Sequence, residues 1–105
     1  MRDVVARAMT LSGLPHAKTR PNILIVDDRQ ENLLATEKVL KHLNAAIYKA
    51  KSGNEALSLM LRYTFAVVLL DVQMDGIDGF EVCRRLKADA ESRNIPVIFL
   101  TAQGG

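Results

Sequence analysis

Apolar residues along the chain fall into two kinds of pattern, unbroken runs and helical stripes, and the two alternate. Ile23-Leu24-Ile25-Val26 is unbroken, as a strand buried on both faces requires. From about residue 30 to Leu43, Ala35, Thr36, Val39, Leu40 and Leu43 recur every three or four positions and predict a helix. Ala45 to Ala50 reads as a second, more exposed strand. Ser52 then begins a second helix, with Glu55 placed to complete a capping box and Ala56, Leu57, Met60 and Leu61 as its apolar face. Phe65 to Leu70 is apolar throughout and predicts a third strand. A third helix runs from about Gly79 to Lys87, with Asp78 as its cap and Gly76 and Gly79 serving the preceding turn. Ile95 to Leu100 predicts a fourth strand, with Pro96 near its start, where a missing N–H matters least.

Strands alternating with helices imply an α/β fold, a doubly wound parallel sheet covered on both faces. The 105 residues allow one domain. Charge then separates the ends from the body. Residues 1–22 hold Arg2, Arg7, Lys18 and Arg20 against Asp3 alone, a net of +3, whereas residues 23–105 carry a net of −1. The first 22 residues therefore read as a basic tail or linker, with Val4, Val5, Ala8 and Met9 spaced for a short helix that Gly13 and Pro15 would stop. Pro21 marks the boundary with the body.

Several function classes drop out on composition. An aromatic content of 5% offers little for stacking on bases, and no direct nucleic-acid partner is expected. No stretch approaches the ~20 apolar residues of a membrane span. The single cysteine, Cys83, precludes an internal disulfide and suits a reducing compartment, so the expected location is the cytoplasm and the expected role of Cys83 is a small core residue.

Open parallel sheets place ligand sites outside the carboxyl ends of their strands. The first strand here ends in Asp27-Asp28, the third in Asp71 and the fourth in Thr101-Ala102. Three carboxylates brought together would repel one another and push at least one pKa up, unless a hard divalent cation joined them. Such a set could hold a metal for hydrolysis or bind a phosphorylated ligand. Alternatively, one carboxylate could be the nucleophile and become an aspartyl phosphate. His16 and His42 lie away from these ends, and the run Arg84-Arg85-Lys87 reads as a solvated helix face.

ILIVDD (23–28), VVLLDVQMDGIDGFEV (67–82) and PVIFLTA (96–102) together resemble the receiver domain of bacterial two-component response regulators. The resemblance implies a flavodoxin-like sheet of order 2-1-3-4 over residues 23–105. It implies that Asp71 accepts a phosphoryl group from a sensor histidine kinase or a histidine phosphotransfer protein. It further implies Mg2+ (Mn2+ as an alternative), held directly by Asp28 and Asp71, through water by Asp27, and by the backbone carbonyl of Gln73. Thr101 would be the switch hydroxyl, and the Ala102 N–H would bond a phosphoryl oxygen. Such a module is not an enzyme; its chemistry is self-catalysed gain and loss of one phosphoryl group.

Two departures from the family pattern stand out. Position 75, usually proline, is Asp75, which should loosen the loop and add charge near a metal. The family's fifth strand, its last helices and the lysine that contacts the phosphoryl group are absent from residues 1–105, and Lys87, on the third helix, is no evident replacement. The expectation is a receiver incomplete at its C-terminus, with the fourth strand an exposed apolar edge inviting a homo-oligomer. The alternative function is a pseudo-receiver, a non-switching interaction or dimerisation module. A hydrolase with an aspartyl nucleophile is disfavoured, because such enzymes commonly place a second acid where Gln73 stands.

Overall fold

The computed structural model describes residues 20–74, 76 and 78–100. The expectations for residues 1–19, Asp75, Thr101 and Ala102 fall outside them. Within these bounds the chain runs β1 (Asn22–Val26), α1 (Gln30–Leu40), β2 (Ala46–Ala50), α2 (Gly53–Arg62), β3 (Val67–Asp71), α3 (Gly79–Ala88) and β4 (Val97–Leu100). The strands form one sheet in the order β2-β1-β3-β4, and every pairing is parallel. Val26 of β1 stands opposite Ala50 on one side and Leu70 on the other, and Asp71 of β3 stands opposite Leu100. The predicted 2-1-3-4 order and doubly wound architecture are therefore observed.

The unbroken apolar runs are explained by what lies on each face. Leu24, Val26, Val68 and Leu70 pack against Ala56 of α2 and Val82 and Leu86 of α3. Their neighbours Ile23, Ile25 and Leu69 point the other way and pack with Leu33 of α1. Alternate residues of β1 and β3 thus enter two separate cores, which confines polar side chains to the strand ends, Asn22 and Asp71.

Three helical details differ from expectation. Helix α1 ends at Leu40, not Leu43: Lys41 and Leu43 donate backbone bonds to Lys38 and Leu40, three residues back, and Ala46 N–H already bonds Pro21 O to begin β2. Its buried face is Leu33 with Leu40, two turns apart, while Val39 is 68% exposed and Leu43 is also exposed. In α2 the inward residues are Ala56, Leu57, Leu59 and Met60, and Leu61 is 85% exposed. The predicted capping is present. Ser52 accepts from the Glu55 N–H at 3.0 Å, and Glu55 reaches back to the Lys51 N–H at 2.7 Å.

The connection into β3 buries Phe65 against Tyr48 and Tyr63 before the strand begins at Val67. Cys83 is partly buried and packs on the α2–α3 side of the sheet, and His42 is exposed in the turn after α1. Arg84 and Arg85 are exposed and both pair with Glu81, which lowers the Glu81 pKa, Arg85 contributing most. No helix among the described residues is long and apolar enough to cross a membrane.

Candidate functional site

Two turns carry the site. At the end of β1 the Asp27 N–H bonds Ala50 O at 3.0 Å, continuing the ladder one residue past the strand. Asp27 then accepts, through one carboxylate oxygen, the Arg29 N–H at 3.1 Å and a longer bond from Asn32 Nδ2 at 3.4 Å. This is an Asx-type turn, and it delivers the chain directly into α1. The end of β3 repeats the device: Asp71 accepts the Gln73 N–H at 3.3 Å. Both strand-end carboxylates are inside the protein, Asp27 at 5% and Asp71 at 4% exposure, and Asp28 is half-buried.

Parallel pairing of β1 with β3 makes these three acids neighbours. Each of Asp27, Asp28 and Asp71 offers a carboxylate oxygen, and the three oxygens lie within 4.8 Å of one another. Burial raises the Asp71 pKa above the ordinary carboxylate value of 3.8. The Gln73 N–H opposes that rise, the charges of Asp27 and Asp28 add to it, and Arg29 offsets part of it. The donor set suits a hard divalent cation. It consists of oxygens only, carries negative charge in excess, and is spaced for sharing one ion directly or through one of its waters. Oxygens bound to the same Mg2+ sit at most about 4.2 Å apart, twice the metal–oxygen distance.

The turn after β3 depends on two glycines, for different reasons. Gly76 has a φ of +78°, the left-handed region that suits glycine. Gly79 is the first residue of α3 and has no such φ. It is required by proximity: a Cβ there would meet the Asp71 carbonyl oxygen at 2.3 Å and Val72 Cα at 2.9 Å. Gly79 therefore serves helix–strand contact rather than the turn it was expected to serve. Asp78 caps α3 as predicted, accepting the Glu81 N–H at 2.9 Å.

Of the residues singled out from the sequence, Asp27, Asp28 and Asp71 come together and Gln73 follows on the adjoining turn, exposed. Lys87 does not approach the site. Its ammonium donates to the carbonyls of Arg93 and Ile95, both at 2.9 Å, and ties α3 to the chain entering β4. Two residues were missed, Arg29 and Asn32, and Gly79 was singled out for the wrong reason. A signal existed for Asn32, since a carboxamide five positions after Asp27 falls in the first turn of the helix that Asp27 introduces.

The family model for the response regulator receiver domain matches residues 23–105. The chain belongs to that family. It is similar to the response regulator PleD of Caulobacter vibrioides, 42% identical over 83 residues, which are 79% of this chain and 18% of PleD. It is also similar to the transcriptional regulatory protein ResD of Bacillus subtilis, 39% identical over 78% of this chain and 33% of ResD. The receiver thus spans at most a third of either relative. Among solved structures, the response regulator TrrA of Thermotoga maritima, in complex with Mg2+ and beryllofluoride, superposes with a TM-score of 0.73 at 30% identity. That match covers 80% of this chain and 71% of the TrrA chain. The sequence resemblance to two-component receivers is accordingly correct.

Proposed function

We propose that this receiver accepts a phosphoryl group on Asp71 from a phosphohistidine of a sensor histidine kinase or a histidine phosphotransfer protein. The observation that carries the reading is the convergence of three strand-end carboxylates within 4.8 Å, with Asp71 the one supplied by β3. In the transfer, an Asp71 carboxylate oxygen forms the new O–P bond as the P–N bond to the donor imidazole breaks. The imidazole leaves with the bonding electron pair and takes up a proton. Asp71 must be ionised to attack, and the turn that gives it the Gln73 N–H supports the charged form against burial.

Asp28 and Asp71 would hold Mg2+ directly, Asp27 through water, and the Gln73 carbonyl would complete the protein's share; Mn2+ would serve as well. When bound, the cation supplies charge neutralisation between carboxylate and phosphoryl oxygens. Asp27 is already committed to the Arg29 and Asn32 donors through one oxygen, which suits the outer place in the coordination. Thr101 and Ala102 follow directly after β4, whose last residue pairs with Asp71, so their assignments as switch hydroxyl and backbone donor rest on chain position. The module is a phosphoacceptor switch of the cytoplasm, not a dedicated enzyme.

The test is incubation with Mg2+ and acetyl phosphate, followed by intact-mass spectrometry. The expected result is one phosphoryl adduct in the unaltered protein, lost in Asp71→Asn and on chelation. A second reading, a non-switching interaction module, is favoured by the exposure of Ile98 (52%) and of Phe80 and Phe99, which touch at 5.1 Å between ring centres. Persistent absence of adduct, with concentration-dependent association in light scattering, would replace the first reading with the second.

A further inference from the structure

We propose that Arg29 supplies the positive charge that holds the phosphoryl group on Asp71, a role that rests on Asp71 being the acceptor. Two hollows flank the acid cluster. One, about 300 Å³, is lined by residues including Asp27, Asn32, Asp71 and Arg29. The other, about 590 Å³, is lined by residues including Asp28, Gln73, Asp78 and Arg29. Among the described residues, Arg29 is the one residue common to both linings and the one basic residue in either.

Local structure gives no reason for an arginine at this position. Arg29 occupies the N-cap of α1 with extended dihedrals and makes no side-chain capping bond. N-caps favour Ser, Thr, Asp and Asn, and a cation there opposes the helix dipole. The side chain is exposed, so packing does not account for it either. Its backbone, by contrast, is pinned: the N–H bonds Asp27 Oδ1 and the carbonyl accepts from Asn32 and Leu33. A fixed backbone beside Asp27 thus holds an exposed arginine at the border of both hollows.

The chemistry calls for such a group. An aspartyl phosphate at position 71 carries close to two negative charges where the free carboxylate carried one, beside Asp27 and Asp28. One divalent cation leaves excess negative charge, and the planar guanidinium matches phosphoryl oxygens in a two-pronged contact. Four other basic side chains are engaged away from the acids: Lys87 on the carbonyls before β4, Arg84 and Arg85 on Glu81, and Lys49 on Glu37.

The experiment separates cation from anion binding on the full chain. Mg2+ alone is titrated by calorimetry. Beryllofluoride is then titrated in saturating Mg2+ by fluorine NMR, for the unaltered protein, Arg29→Ala, Arg29→Lys and Asp71→Asn. A charged hydrogen-bonding group of this kind predicts a loss of beryllofluoride affinity of about ten- to a hundredfold in Arg29→Ala, with partial recovery in Arg29→Lys. Mg2+ affinity should hold or rise in Arg29→Ala, because a repelling charge has gone. A merely structural Arg29 would weaken both ligands together, and that result overturns the proposal. So does an Arg29→Ala protein that binds beryllofluoride as the unaltered one does. If the unaltered protein binds none while Mg2+ still binds, the acceptor reading itself fails and takes the proposal with it.

Discussion

Asp71 is a buried acid whose own environment opposes its charge, and the stability of the protein should register that. Its folded pKa is raised, so between the unfolded and folded values the native state binds the extra proton. Stability therefore falls as pH rises through that window, and the penalty is fully present above the folded pKa. Without metal, Asp71→Asn should unfold at higher urea than the unaltered protein at pH 7. The gap should narrow as pH falls to about 4, the ordinary carboxylate range. Urea titrations with a chelator at both pH values check this, and an equal or larger gap at low pH would contradict it. Asp71 was legible in the sequence because an apolar strand seldom ends on a buried acid without a use for it. The place of Arg29 and the close approach that requires Gly79 were not, since both depend on what stands beside them in space.

Helix α3 meets β3 beside Asp71, the proposed acceptor, and Gly79 sets how closely. Adding a methyl there forces either the helix or the Asp71–Val72 peptide to move, because both nearest contacts are backbone. Gly79→Ala should cost about 1–3 kcal/mol in urea denaturation, the usual range for overpacking, and should weaken Mg2+ binding as the carboxylate shifts. Gly76→Ala has open space around its Cβ and is strained only by its φ, so its effect should be smaller and confined to the turn. Calorimetric Mg2+ titration of the two variants, alongside their denaturation curves, separates these outcomes. The caps of α2 and α3 were readable because a cap is a local device: Ser52 and Asp78 bond N–H groups three residues ahead. The buried face of α1 was not. Its periodicity admits a rotation about the helix axis, and contact with Ile23, Ile25 and Leu69 of the sheet selected Leu33 over Val39.

The sheet as assembled is unevenly covered. Among the described residues β4 pairs with β3 alone, and Ile98 is half-exposed on it. An apolar strand edge of this kind favours association with another chain. Ile98→Lys should suppress any concentration-dependent self-association seen by light scattering while leaving the acetyl phosphate adduct in place. Retained association in that variant would locate the contact elsewhere. Strand and helix order, and hence the parallel doubly wound fold, followed from the sequence, because burial on both faces removes polar residues from a central strand and helical crossovers carry their own stripe. The sequence likewise marked Asp27, Asp28 and Asp71 as strand-end acids. Only the tertiary structure decided that their oxygens share one small space, that Arg29 borders that space on both sides, and that Lys87 is spent on holding α3 to β4. Those facts depend on the register between β1 and β3 and on how closely α3 packs, which are set by contacts between residues far apart in the chain.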